Sequence, residues 1–133
     1  MFALFLFFNF ESNFTLEQRL EHLYGKEVIE EYTQLMADIK DRCYDLVDLG
    51  FNVKIDWAYS TKERLTDRTP KIEILIFGED SLFDENYDEF VLPSIESIRA
   101  LIREIGFSSG GGFTSTSFAG TTSYETYKIF AQK

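Results

Sequence analysis

Three kinds of hydrophobic pattern run along this chain, and each predicts a different element. Residues 2–10, Phe-Ala-Leu-Phe-Leu-Phe-Phe-Asn-Phe, form an apolar run too short for an isolated helix and rich in aromatics, which predicts a strand buried on both faces. Residues 51–59 alternate: Phe51, Val53, Ile55, Trp57 and Tyr59 are separated by Asn52, Lys54, Asp56 and Ala58, the mark of a strand with one buried face. Residues 71–77, Lys-Ile-Glu-Ile-Leu-Ile-Phe, are more apolar and predict a more interior strand. From Glu27 to Leu49 the spacing changes to threes and fours, with Val28, Tyr32, Leu35, Met36, Ile39, Cys43, Leu46 and Val47 forming the stripe of one core-facing helix. Gly50 and Phe51 close it. A shorter helix precedes it, opened by the capping pattern Thr15 to Gln18, carrying Leu16, Leu20 and Leu23, and ending at Gly25. A third opens at Pro93 and Ser94, sets Ile95, Ile98, Leu101, Ile102 and Ile105 on one side, and ends at Gly106 and Phe107.

Between these elements, Ser60 to Pro70 reads as a polar connection, the acidic stretch from Gly78 to Phe90 as a loop, and Ser108 to Gly112 as a flexible lead into a hairpin. The hairpin pairs Phe113–Ala119 with Tyr124–Ala131 around Gly120. The order is then strand, helix, strand, strand, helix, strand, with one C-terminal strand to spare. This predicts a single α+β domain over residues 1–133 with the ferredoxin-like βαββαβ topology: an antiparallel sheet, two main helices on one face, and the first and third strands adjacent at the centre. The competing arrangement is αββ-αββ with residues 2–10 as an added edge strand. The shared ending of two helices, Leu49-Gly50-Phe51 and Ile105-Gly106-Phe107, hints at a duplicated unit.

Charge and cysteine content narrow the chemistry. The 133 residues carry 13 Lys and Arg against 23 Asp and Glu, a net charge of −10, and one cysteine. Cys43 can make neither an internal disulfide nor a cysteine-based zinc site, and it sits on the apolar stripe, so the expected setting is a reducing, cytoplasmic one with the thiol acting as a small hydrophobe. The apolar run at residues 1–8 is too short to span a bilayer and lacks the features of a secretory signal, so no membrane association is expected. With His22 the only histidine, in a polar-faced helix, nucleophilic triads are dismissed. Asp84, Asn86 and Asp88 imitate a calcium-binding loop, but the position that needs Gly is Glu89 and the one that needs a bidentate carboxylate is Ile95. Gly110-Gly111-Gly112 lacks the spacing and the following Lys of a phosphate loop. Neither an enzyme, a metal site nor a cofactor is expected.

Two features rise above this background. If the helices cover one face of the sheet, Phe5, Phe7, Leu75 and Phe77 share the other, an aromatic patch suited to an interface between copies or to cover by the final hairpin. Base stacking by such a patch is a known use of this topology, yet a chain at −10 is poorly matched to phosphate, so direct nucleic-acid binding is not expected. The second feature is where the acids lie. Residues 1–90 hold 20 acids and 9 bases, against 3 and 4 in residues 91–133. On a continuous helix, Glu27, Glu30, Glu31, Asp38, Asp41, Asp45 and Asp48 fall in one sector beside the apolar stripe, and Glu79, Asp80, Asp84, Glu85, Asp88 and Glu89 add a second cluster; the residues singled out among them are Glu27, Glu31, Asp38, Asp41, Asp45, Asp48, Asp84, Glu85, Asp88 and Glu89. These ten carboxylates are the candidate surface for a basic protein partner. The expected function is that of an acidic interaction protein, such as an inhibitor, immunity protein or nucleic-acid mimic, and the alternative is an assembly subunit held through the aromatic sheet face.

Overall fold

The computed structural model describes residues 16–58 and 70–133. Helix α1 (Leu16–Tyr24) leads through Gly25, at φ +97°, into α2 (Lys26–Asp41), and a six-residue α3 (Tyr44–Leu49) follows. The hairpin of β1 (Asn52–Trp57) and β2 (Lys71–Glu79) comes next. Helix α4 (Asp80–Asn86), a π-helical turn over Tyr87–Val91 and α5 (Leu92–Glu104) lead to the second hairpin, β3 (Ser108–Ala119) and β4 (Thr122–Gln132). The two hairpins join through an antiparallel β2–β4 ladder, giving a four-stranded antiparallel sheet in the order β1-β2-β4-β3.

The α+β class and the antiparallel sheet are as the sequence leads one to expect; the strand order is not. The ferredoxin-like topology seats the first strand of the chain beside residues 71–77, but both edges of β2 are already filled, one by β1 and the other by β4. The described strands make the αββ-αββ order instead. The strand expected over residues 2–10, with Phe5 and Phe7, lies outside the described residues, as does most of the polar connection before Pro70.

The two αββ units match closely. Leu35 and Val91, Ile39 and Ile95, Leu46 and Ile102, and Phe51 and Phe107 are all buried, each pair 56 positions apart. Both helix ends also close with the same two hydrogen bonds. Gly50 N–H donates to Val47 O (3.0 Å) and Phe51 N–H to Leu46 O (3.0 Å); Gly106 N–H donates to Arg103 O (2.9 Å) and Phe107 N–H to Ile102 O (3.1 Å). This is the Schellman closure, which needs a left-handed residue at the glycine, and Gly50 (φ +108°) and Gly106 (φ +87°) supply it. In the β2–β4 ladder Ile74 faces Ile129, and these two occupy equivalent places in the two units. A pseudo-twofold axis therefore passes through that pair, perpendicular to the sheet.

The core lies between the sheet and the helices. Ile72, Ile74 and Ile76 of β2 and Ile129 and Ala131 of β4 meet Tyr32, Leu35 and Ile39 of α2 and Ile95, Ile98 and Ile102 of α5. Both long helices are thus on one face. Tyr32 ties the chain's end to this core, its hydroxyl donating to Pro70 O (2.6 Å) and accepting from Lys133 N–H (2.7 Å).

Four local expectations are corrected by the structure. The helix expected over residues 27–49 breaks at Arg42 and Cys43: Cys43 leaves the helical well (φ −102°, ψ 2°), Arg42 lies at its edge (φ −81°, ψ −6°), and their N–H groups bond three residues back, to Ile39 O and Lys40 O. Past the break Cys43 and Leu46 stay buried but Val47 is 52 % exposed. The acidic stretch after Gly78 is helical, not a loop, because Phe83 and Val91 are buried and Leu82, Tyr87 and Phe90 pack against the core at helical spacing. Finally, Ser108–Gly112 is strand, the first half of β3, and its glycines make room for β4. A Cβ on Gly110 would sit 2.6 Å from the Phe130 ring, and one on Gly111 (φ +117°) 1.9 Å from the Lys128 carbonyl oxygen. The hairpin turn itself forms at Gly120 (φ +64°), as expected.

Candidate functional site

The break at Arg42 and Cys43 controls where the helix acids point, because it resets the rotation that would have aligned all of them. The ten candidate carboxylates consequently separate. Glu27 is exposed in the first turn of α2, and Glu31 one turn later forms an ion pair with Lys133 (2.9 Å). Both sit near the far end of α2 from Asp41, about 15–21 Å away at 1.5 Å per residue. Asp38 is half-buried and accepts a hydrogen bond from Gln34 Nε2 (3.0 Å). Asp48 is exposed in the last turn of α3. Asp84 and Glu85 are exposed on α4, and Asp88 and Glu89 on the π-helical turn. In this setting Asp84, Asn86 and Asp88 are not the loop ligands their spacing imitates, since alternate residues of a helix diverge. Asn86 Nδ2 instead donates to Leu82 O (2.9 Å).

Three of these carboxylates, drawn from two distant segments, line one groove. Asp41 and Asp45, either side of the helix break, and Glu89 of the π-helical turn line a cavity of about 340 Å³ together with Tyr44, Phe90 and Pro93, Ser94 and Ser97 of α5. Arg42 is the basic residue in it, and its Nη1 donates to Ser97 Oγ (2.6 Å), linking α2 to α5. Among the described residues the ion pairs are Lys26–Glu30, Lys128–Glu73 and Lys133–Glu31, so Asp41, Asp45 and Glu89 have no ion-pair partner. Asp41 is also the last residue of α2, the negative end of that helix, where a carboxylate is disfavoured by about 0.3–1 kcal/mol. Folding alone does not favour this placement.

A third carboxylate group sits at the far end of β2. Glu125 of β4 has its pKa raised by burial and by Asp80, with which it shares a hydrogen bond, and by Asp84. Among the described residues no group of three or more His, Cys, Asp or Glu side chains is disposed to hold a metal ion. Cys43 is buried, and burial pushes its thiol up to about 11, which keeps it protonated and unreactive.

The sheet face away from the helices carries Leu75 and Phe77, as expected, with Leu75 half-buried and Phe77 38 % exposed. The final hairpin does not cover them. It extends the sheet sideways, so that Tyr124 stacks beside Phe77, the ring planes 6° apart and the centroids 5.4 Å. Phe130 lies on the same face over Gly110, with Lys71 Nζ 5.0 Å from its centroid, and Lys128 pairs with Glu73 at 3.0 Å. Tyr124, Arg42 and Ser97 were not legible as site residues, because each owes its place to the strand register or to helix–helix contact.

No helix among the described residues is long and apolar enough to cross a membrane. Searches against family models, curated proteins and solved structures found no match to this chain.

Proposed function

We propose that this protein is a non-enzymatic interaction protein that binds a basic protein partner through the groove of Asp41, Asp45 and Glu89, in the manner of an inhibitor, an immunity protein or a nucleic-acid mimic. The observation that carries this reading is the convergence of unpaired carboxylates from two segments on one groove, one of them at a helix end that disfavours it. A face serving only solubility needs no such convergence, since scattered acids do that equally well. Asp38, Asp48 and Asp88 extend the negative field around the groove, and a field of one sign speeds encounter with a basic partner and makes it sensitive to salt.

The test is capture of basic proteins from source-cell lysate at low and high salt, by the parent and by a triple variant Asp41→Lys, Asp45→Lys, Glu89→Lys. The proposal expects salt-sensitive capture that the triple variant loses, with the fold intact by circular dichroism. Unchanged capture by the variant refutes it. The alternative, an assembly subunit held through Leu75 and Phe77, draws on the exposure of Phe77 and on the final hairpin lying beside that face instead of over it. It expects a salt-resistant oligomer that Phe77→Lys dissociates. Direct nucleic-acid binding on the same face is the weakest reading, because Lys71 and Lys128 are already engaged by Phe130 and Glu73.

A further inference from the structure

A second groove, of about 480 Å³, lies at the end of β2 where the sheet meets α4. Phe77, Glu79 and Tyr124 line it from the sheet, Glu85 from α4, and Gly78 contributes bare backbone. The strands fix this grouping. Glu79 and Tyr124 face each other in the β2–β4 ladder, and Phe77 stands two residues before Glu79 on the same face. The missing side chain at position 78 is required, since a Cβ there would lie 2.9 Å from the Phe51 ring and 3.3 Å from Leu82. The stack occupies one side of each ring and leaves Phe77 38 % exposed. Among the described residues, neither Glu79 nor Glu85 has an ion-pair partner and no Lys or Arg lines the groove.

We infer that this groove receives an arginine side chain of a basic protein partner, the guanidinium lying against the Phe77–Tyr124 pair and donating to the carboxylates of Glu79 and Glu85. Two requirements meet here, an aromatic surface and unpaired negative charge, whereas the groove of Asp41, which also carries the aromatic residues Tyr44 and Phe90, already holds a guanidinium of its own in Arg42. Together they select a cation with an apolar face. Arginine fits better than lysine because its flat guanidinium can stack on a ring and still donate in its own plane to a carboxylate, whereas an ammonium is a compact, strongly hydrated charge. The inference deepens the partner-binding reading and rests on it for the source of the arginine, but the site itself can be tested apart from any partner.

The experiment is an NMR titration of the full chain with N-acetylarginine methylamide, with the citrulline analogue as neutral isostere and the lysine analogue as the competing cation. Saturable shifts are expected in the Phe77 and Tyr124 rings and in the amides of Glu79 and Glu85, with weaker binding of the lysine analogue and none of the citrulline one. Phe77→Leu and Glu85→Gln, each exposed and each checked for an unaltered fold by its spectrum, should weaken arginine binding by about fivefold or more. Equal binding of citrulline or lysine, an unchanged affinity in either variant, or shifts confined to Asp41, Asp45 and Glu89 would overturn the assignment. Failure here beside salt-sensitive capture that depends on Asp41, Asp45 and Glu89 removes this site alone. Arginine binding here beside capture indifferent to those three acids removes the first groove alone and leaves this one standing.

Discussion

Gly110, Gly111 and Gly112 are consecutive in the sequence, but replacing each with alanine should have three different effects. At Gly111 the backbone is at φ +117°, and an added Cβ would lie 1.9 Å from Lys128 O, 2.8 Å from its carbonyl carbon and 3.2 Å from the Ile129 Cα. The dihedral strain alone is worth of order 1–3 kcal/mol. The clash adds to it, because the opposing atoms belong to a ladder that cannot yield without breaking the β3–β4 pairing. Against this stands a gain of only about 0.4–1 kcal/mol from a less flexible unfolded chain. Gly111→Ala should therefore destabilise the protein by about 3 kcal/mol or more, a large fraction of the 5–15 kcal/mol typical of a domain. At Gly112 nothing lies within 4 Å of the added Cβ and φ is not positive, so only the unfolded-state term remains and alanine should be neutral or slightly stabilising. Gly110→Ala falls between, since the clash at 2.6 Å is with the end of the Phe130 ring, a side chain that can turn aside. Urea unfolding followed by circular dichroism ranks the three. A cost below about 1 kcal/mol at Gly111, or an equal cost at Gly112, would refute the strand geometry from which the order is worked.

Ile39 is fully buried between α2 and the sheet, so Ile39→Ala should cost about 2–5 kcal/mol in the same assay, whereas Val47→Ala, on an exposed face, should stay within about 0.5 kcal/mol. A small cost at Ile39 would mean that the packed face of α2 is misassigned. The raised pKa of Glu125 means that the folded state holds this proton more tightly than the unfolded one, so its contribution to stability is lost as pH rises above the ordinary value of 4.5 through the folded pKa. Glu125→Gln should accordingly be close to the parent below pH 4.5 and more stable at neutral pH, and a pH-independent difference in urea midpoints would contradict this. Cys43, buried with its thiol raised to about 11, should react with a thiol reagent at pH 8 only as fast as the protein opens; prompt native labelling would show an exposed thiol.

What the sequence revealed and what it hid divide by range. Helix and strand periodicities were readable because they are local: the stripe of Tyr32, Leu35 and Ile39, the row of Ile72, Ile74 and Ile76, and the closures at Gly50 and Gly106 all lie where the spacing puts them. The acidic stretch after Gly78 reads as a loop by its charges, but Phe83, Tyr87, Phe90 and Val91 within it step at threes and fours like any core-facing helix. The break at Arg42 and Cys43 had no such signal, since neither Gly nor Pro marks it. The strand order, the need for glycine at 110 and 111, and the meeting of Asp41 with Glu89 all depend on neighbours far away in sequence. Phe130 and Lys128 occupy the space that side chains at 110 and 111 would need, and nothing within Ser108–Gly112 itself says so.

The pseudo-twofold axis supplies an internal control for the proposed site. The groove lies where the helices of the two units meet, and on the shared offset Asp38, Asp41 and Asp45 of the first unit correspond to Ser94, Ser97 and Leu101 of α5. One scaffold, used twice, thus holds carboxylates at these places once and hydroxyl or apolar side chains the other time, so the fold does not require the acids. Asp41→Ser makes the two walls alike at one such pair. If Asp41 has no structural task, removing a negative charge from the end of α2 should raise stability by about 0.3–1 kcal/mol, while capture of the basic partner weakens. The two measurements pull in opposite directions only if the residue serves binding at the fold's expense. A variant that loses stability would show that Asp41 holds the helix break in place, and one that gains stability with capture unchanged would show that its charge faces solvent without a partner.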